Sequence, residues 1–210
     1  LYRRQFMKKL PKVINISYKV DRINEKKISL INMIYIFIIC SFLGWGFEVI
    51  FCYFKFGYIM NRGMLYGPFC SIYGIGGIIL YLLFYNVKTT KNNIVYTFIT
   101  AAIILGAFEL LSGLILKYVF NTQMWNYDGE FLEILNYTTI PILIGWGILG
   151  TIYLYLIQPI LLKIISLIPL SFVKRLAIII AFIYVLDFGI STLNISLNPE
   201  VLYKMVNPNI

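Results

Sequence analysis

The sequence predicts an all-α fold, a polytopic transmembrane helical bundle of about five spans with an additional helix lying in the membrane interface. Three observations support this prediction. Only 13% of the 210 residues are charged and 60% are hydrophobic, whereas soluble domains are about a quarter charged. Several apolar segments are as long as a membrane span, and positive charge is concentrated before the first of them. This combination is typical of a multi-pass membrane protein.

Five apolar segments follow one another along the chain. Each has about 18 residues or more, enough for a helix to cross roughly 30 Å of hydrocarbon. They are Ile28–Phe54, Pro68–Val87, Ile94–Val119, Thr138–Pro159 and Leu176–Leu193. The stretch Ile160–Phe172 follows Pro159 and contains Pro169 and Lys163, which favours a short interfacial helix. We therefore expect a basic segment 1–27, a bundle 28–193 and a C-terminal segment 194–210.

The distribution of positive charge predicts the orientation. Nine of the 18 Lys and Arg residues precede residue 28, and a basic segment beside an apolar one is typical of the cytoplasmic side. With the N-terminus inside, only Lys55, Arg62, Lys117 and Lys204 lie on the outer side. We predict a multi-pass membrane protein whose N-terminus is cytoplasmic and contacts anionic membrane lipid.

The composition argues against several classes of function. The net charge of +9 lies mainly beside a membrane span, so nucleic-acid binding is not expected. The chain has no His, and Cys40, Cys52 and Cys70 lack metal-ligand spacing, so we predict no metal and no cofactor. The motif G-x-x-x-x-G-K-[ST] is missing from the sequence, so no P-loop binds ATP in this chain. We expect that the chain is not itself an enzyme.

Three acids and one arginine are predicted to lie in the outer half of the membrane. Glu48, Glu109 and Asp187 belong to the first, third and fifth apolar segments, and Arg62 belongs to the connection after the first. Charged groups in hydrocarbon are costly and often line ion or substrate paths. We predict a substrate or ion path lined by these residues and by Asn61, Tyr66 and Tyr73.

Each acid is part of a stripe of small or polar residues at helical spacing. Such residues let helices approach closely and form hydrogen bonds across the contact, so the stripes are expected to face the interior of the bundle. They are Ser41, Gly44, Glu48 and Cys52, then Ala102, Gly106, Glu109 and Gly113, then Tyr184, Asp187, Ser191 and Asn194.

Other interpretations of these residues remain open. Glu48 or Glu109 could pair with Arg62 as a purely structural ion pair. Asp187 could reach the membrane interface and contribute nothing. Tyr66 and Tyr73 could be aromatic residues of the interface instead of ligands.

The run from Gly63 to Gly77 contains five glycines and Pro68, a density that weakens a continuous helix. Irregular backbone at membrane depth survives only where protein or a water-filled cavity satisfies its polar groups. The run is therefore either a broken, re-entrant helix that enters from the outer face or an ordinary loop followed by a glycine-rich span.

Seven short motifs lie between Tyr35 and Ser191. They are Gly44-Trp45-x-x-Glu48, Asn61-Arg62-Gly63-x-x-x-Gly67-Pro68, Ile72-Tyr73-Gly74-x-Gly76, Met124-Trp125-Asn126-Tyr127, Gly145-Trp146-Gly147, Gln158-Pro159 and Asp187-Phe188. Together they resemble a bacterial membrane family labelled putative ABC-transporter type IV, or CmpB-like. The resemblance implies a multi-spanning, permease-like protein. The chain departs from the family pattern at Asn126, where Asp is more frequent, and at Ser71, where Pro is usual.

These observations give three hypotheses of function. The leading one is a small transporter or the permease subunit of an ABC-type system, which would need a separate ATPase subunit and a second membrane copy, for example in a homodimer. The second is an intramembrane enzyme that acts on a lipid or cell-envelope intermediate, with two carboxyls as acid and base. The third is a membrane scaffold or sensor that recruits a partner through its basic N-terminus.

Overall fold

Six α-helices and one short hairpin make up the part of the chain that the computed structural model describes, which is residues 29–59, 61, 63–84, 93–120 and 123–198. The basic segment 1–27, Arg62 and the residues after 198 lie outside it. The helices are α1 (Leu30–Phe56), α2 (Ser71–Phe84), α3 (Ile94–Phe120), α4 (Ile140–Ile152), α5 (Gln158–Leu167) and α6 (Leu170–Leu197). Strands β1 (Glu133–Ile134) and β2 (Thr138–Thr139) pair antiparallel.

The helices form the predicted all-α membrane bundle. Four helical segments are long and apolar enough to cross a membrane: Leu30–Phe56, Ile94–Tyr118, Ile140–Leu167 and Leu170–Leu197. The third of these combines α4, a π-helical turn and α5. Helix α2 is apolar but shorter, with 14 residues. Many large apolar side chains face outward, as expected of helices that contact lipid.

The connection between the last two spans differs from the sequence prediction. Pro159 has no N–H to donate to the carbonyl four residues earlier, and the π-helical turn Tyr153–Ile157 precedes it, with the N–H of Gln158 donating to the carbonyl of Tyr153. Such a turn lets the helix continue past a proline. Helix α5 therefore extends α4 as far as Leu167, and Ile160–Phe172 is not a separate interfacial helix.

Glycines allow α2 to cross α1 closely. A Cβ atom added at Gly74 would lie 2.6 Å from the backbone oxygen of Phe37 and 2.2 Å from Oγ of Ser41. Gly44 of α1 in turn leaves the space that the ring of Tyr73 fills, since a Cβ there would lie 2.1 Å from that ring. The first stripe predicted from the sequence thus faces α2, and Ser41, Gly44 and Cys52 are buried.

Helices α3 and α4 pack in the same way. A Cβ at Gly106 of α3 would lie 1.9 Å from Leu143 of α4, and one at Gly150 of α4 would lie 2.6 Å from Ala101 of α3. The central hydrophobic cluster joins both helix pairs and includes Ile36, Leu80 and Trp146. Two helix pairs therefore share one interior, and small residues set the spacing within each pair.

The chain between α1 and α2 turns back along α1 as irregular backbone. The N–H of Cys70 donates to the carbonyl of Ser41 at 2.9 Å, fifteen residues before the end of α1 at Phe56. At 1.5 Å per residue this is about 22 Å from the end of the helix. Leu65 in this segment is only 1% exposed. The run Gly63–Gly77 is therefore irregular backbone that packs along α1, followed by the glycine-rich helix α2.

Candidate functional site

Glu109 of α3 is a buried carboxyl that accepts three hydrogen bonds. Thr138 Oγ1 donates to Oε2 at 2.8 Å, Trp146 Nε1 donates to Oε2 at 3.1 Å, and Tyr127 OH donates to Oε1 at 3.4 Å. The residue is 5% exposed. Among the described residues, these donors are all neutral. Both oxygens of the carboxyl thus have hydrogen-bond partners.

The hairpin before α4 places one of these donors. Its turn uses left-handed backbone at Leu135 and Asn136 and brings Thr138 back beside Glu133–Ile134. The next residue, Thr139, caps α4 by accepting from the N–H of Ile142 at 3.2 Å, which is a common helix start. Thr138 is therefore held between a strand pair and a helix cap, with its hydroxyl toward Glu109.

A chain of side chains connects Glu109 to Glu48 of α1. Tyr73 OH of α2 donates to Glu48 Oε1 at 2.6 Å. The ring of Tyr73 packs against Trp146 of α4, with centroids 5.0 Å apart and an angle of 42° between the planes, and Trp146 donates to Glu109. The series Glu48–Tyr73–Trp146–Glu109, which we call the carboxyl–aromatic chain, thus joins α1, α2, α4 and α3. Tyr73 is therefore an interior residue and not an aromatic residue of the interface.

Asp187 of α6 contacts a different region, the irregular segment between α1 and α2. Its carboxylate accepts from the backbone N–H of Tyr66 at 3.1 Å, from that of Gly67 at 2.9 Å and from Ser191 Oγ at 3.1 Å. Asn194 of the same helix donates to the hydroxyl of Tyr66. These bonds satisfy backbone N–H groups that have no helical partner. The interpretation in which Asp187 contributes nothing is therefore wrong.

Two further hydrogen bonds fix the ends of this segment. Trp45 Nε1 of α1 donates to Oδ1 of Asn61 at 2.6 Å. At the other end, the hydroxyls of Ser71 and Tyr184 lie 2.6 Å apart. The segment is thus held by α1 on one side and by α6 on the other.

The structure divides the predicted site residues into groups. Glu48, Tyr73 and Glu109 belong to the carboxyl–aromatic chain, Tyr66 and Asp187 belong to the anchor of the irregular segment, and Asn61 contacts Trp45. The predicted ion pair with Arg62 falls outside the described residues. That these residues line a substrate or ion path stays a prediction.

Sequence reasoning missed the partners of Glu109. Trp146 stands out in Gly145-Trp146-Gly147, and the N–H of a Trp buried in an apolar span needs an acceptor. A buried acid likewise needs donors. Pairing these two requirements would have suggested Trp146 and Glu109 as partners. Thr138 and Tyr127 gave no such signal, since they lie in a connection whose path depends on the fold.

A cavity of about 100 Å³ lies between α1, α2, α3 and the segment from α4 into the π-helical turn. Tyr73 and Trp146 line it, whereas the carboxyls to which they donate do not. Most of the remaining lining is glycine and leucine. In the described part of the chain, no three His, Cys, Asp or Glu side chains come together as metal ligands. The cavity therefore suits an organic group better than a bound metal.

Comparison with known proteins identifies a family. Residues 35–192 match the family described as putative ABC-transporter type IV. No curated protein and no solved structure matches the chain. The matched range includes Glu48, Glu109 and Asp187, together with all six helices apart from the ends of the first and last. The chain belongs to the family of putative ABC-transporters of type IV.

Proposed function

We propose that this membrane protein is the permease subunit of an ABC-type transporter in the bacterial cytoplasmic membrane. The observation that supports this best is the carboxyl–aromatic chain, which connects two acids through two rings and four helices inside the bundle. Acids in membrane spans typically mark paths for substrates or ions. In this proposal the rings of Tyr73 and Trp146 line the path, Glu48 and Glu109 lie behind these rings, and Asn61 and Arg62 are proposed to belong to its outer entrance.

The anchor at Asp187 has a supporting role in this proposal. Non-helical backbone within a membrane bundle is common where transporters bind their cargo. Asp187 and Ser191 hold Tyr66 and Gly67 in such a conformation next to α2. Asp187 is therefore proposed to shape the path without contacting the cargo.

The source of energy is proposed to be a separate subunit. The sequence has no P-loop motif, so ATP hydrolysis would need a partner ATPase. The junction of α5 and α6 lies at the predicted cytoplasmic end and carries Lys163, Lys174 and Arg175 on exposed positions. We propose this junction as the contact for the ATPase, and a second copy of the chain as the other half of the permease.

Gentle purification from the native membrane, followed by mass spectrometry of the proteins that remain bound, tests the proposal. We expect a P-loop ATPase in a stoichiometric amount, and expect its loss when Lys174 and Arg175 are both changed to Glu. Changing Lys117 to Glu is the control at the predicted outer end, since Lys55 at the same end forms an ion pair with Glu130 at 3.0 Å. Reproducible absence of any ATPase would contradict the permease assignment and favour a self-sufficient carrier or an enzyme that acts on lipid.

A further inference from the structure

Three aromatic rings of the cavity lining pack against one another. Phe47, Tyr73 and Trp146 all line it. The centroids of Tyr73 and Trp146 are 5.0 Å apart, and those of Phe47 and Tyr73 are 6.3 Å apart with an angle of 60° between the planes. Rings at such different angles present faces and edges around one small volume. Groups of rings of this kind bind alkylated ammonium ions through cation–π attraction.

The polar atoms of two of these rings point to carboxyls. Tyr73 donates its hydroxyl proton to Glu48, and Trp146 donates its N–H to Glu109. Donation to an anionic acceptor increases the electron density of the ring, which strengthens its attraction for a cation. In the described part of the chain the donors to Glu109 are neutral, so none of them is a positive charge that would repel a cation in the cavity. A cation bound there would stabilise the ionised form of this carboxyl, as a nearby opposite charge does.

The shape of the cavity limits the size of its occupant. Its volume of about 100 Å³ is smaller than that of an engineered cavity of 150 Å³ that binds benzene. Leu43 and Phe47 line it and are 44% and 43% exposed, so it opens sideways between helices. Tyr153 also lines the cavity, and its buried hydroxyl has no hydrogen-bond partner among the described residues. A compact group with one polar atom fits this arrangement.

We propose that the cavity binds a compact organic cation, an ammonium group with small alkyl substituents. The faces of Phe47, Tyr73 and Trp146 surround the alkyl groups, and the carboxylate of Glu109 lies behind the indole and balances the positive charge. The proposal rests on the proposed transport function in one respect, because it names the class of cargo for that path.

Equilibrium binding to the full chain, purified in a maltoside detergent without choline lipids, tests this site. The probes are choline, a quaternary ammonium ion, and dimethylbutanol, its isostere with an uncharged carbon in place of the nitrogen. Isothermal titration calorimetry measures both. We expect saturable binding of choline and binding of the isostere weaker by about tenfold or more. Equal affinity for the two probes, or binding of neither, would overturn the proposal.

Two variants locate the site. Glu109→Gln removes the charge and should weaken choline binding about tenfold while leaving the binding of dimethylbutanol unchanged. Glu133→Gln makes the same change in the hairpin, where the side chain accepts from the N–H of Gly129, and should leave both unchanged. Unaltered choline binding by a folded Glu109→Gln variant would overturn the assignment to this cavity.

This experiment separates the cation site from the transport proposal. Binding is measured on the isolated chain and needs no ATPase, so a negative result would leave the permease proposal standing. Cation binding by the isolated chain, together with reproducible absence of an ATPase from the protein purified from its native membrane, would instead retain the cation site and refute the ABC-type mechanism.

Discussion

Asp187 and Glu109 are both acids within membrane-spanning helices, and each accepts three hydrogen bonds, yet their partners differ in kind. Two of the three donors to Asp187 are backbone N–H groups of an irregular segment, whereas the donors to Glu109 are side chains, including a ring that lines a cavity. The first acid takes the place of missing helical hydrogen bonds. The second positions aromatic rings. The same signal in a sequence can therefore mark two different arrangements in the fold.

The largest effect on stability is expected from Asp187→Ala. The substitution leaves the N–H of Gly67 without an acceptor and removes two further hydrogen bonds to a charged group, for a total of about 3 to 5 kcal/mol. We expect the Tm of the protein purified in detergent to fall by on the order of 10 °C. Asp128→Ala, an exposed acid in the predicted outer connection, is the control. Equal Tm values for the two variants would mean that Asp187 does not hold the irregular segment.

A matched pair of amide substitutions compares the two acids directly. At Asp187, either orientation of an asparagine turns its NH₂ group toward a backbone N–H, which cannot accept. At Glu109, a glutamine can keep its oxygen toward Thr138 and Trp146 while its NH₂ group faces the hydroxyl of Tyr127, which can accept. We expect Asp187→Asn to lose about 2 kcal/mol and Glu109→Gln to lose about 1 kcal/mol or less.

Thermal melting of both variants measures this difference. The larger fall in Tm should belong to Asp187→Asn, while loss of cation binding should belong to Glu109→Gln alone. A larger fall for Glu109→Gln would show that the carboxyl–aromatic chain, and not the anchor, holds the bundle together.

The sequence was sufficient for the features that depend on one helix at a time. Span length predicted α1 and α3 to within two residues at each end, because hydrophobicity and length alone determine a membrane helix. Helical spacing also predicted that Glu109 and Ser191 face the interior, and both are buried.

Features that depend on contacts between helices were not predictable. Pro159 and Pro169 suggested an interfacial helix over Ile160–Phe172. Instead, a π-helical turn lets the fourth span continue past Pro159, and no local sequence pattern predicts that turn. The position at which α2 begins decides that Glu48 contacts α2 and that Asp187 contacts the irregular segment. That position is set by the contact of Cys70 with Ser41, which is distant in sequence.

Gly67→Ala tests how closely the irregular segment approaches Asp187. A Cβ at this position would lie 2.8 Å from Oδ2 of Asp187 and 3.1 Å from the ring of Phe69, so the backbone must move away from the carboxylate. We expect a loss of about 1 to 3 kcal/mol. Gly189→Ala, on the same helix as Asp187 and with no atom within 4 Å of the new Cβ, should be neutral or slightly stabilising, as is usual in a helix. A neutral Gly67→Ala variant would indicate a looser anchor.

A small effect on stability is expected from Tyr73→Phe. The substitution keeps the ring against Trp146 and in the space above Gly44 and removes only the hydroxyl that donates to Glu48. One hydrogen bond to a charged acceptor is worth about 1.5 to 3 kcal/mol. Other groups near Glu48 can recover part of this loss, so we expect the free energy of unfolding to fall by about 1 kcal/mol.

The affinity of the Tyr73→Phe variant for choline should fall only about twofold to threefold, because the ring face remains and only its polarisation by Glu48 is lost. Tyr73→Leu, which removes the ring itself, should abolish that binding. If the two variants bind choline equally well, Tyr73 serves the packing of α2 on α1 and is not part of a cation site.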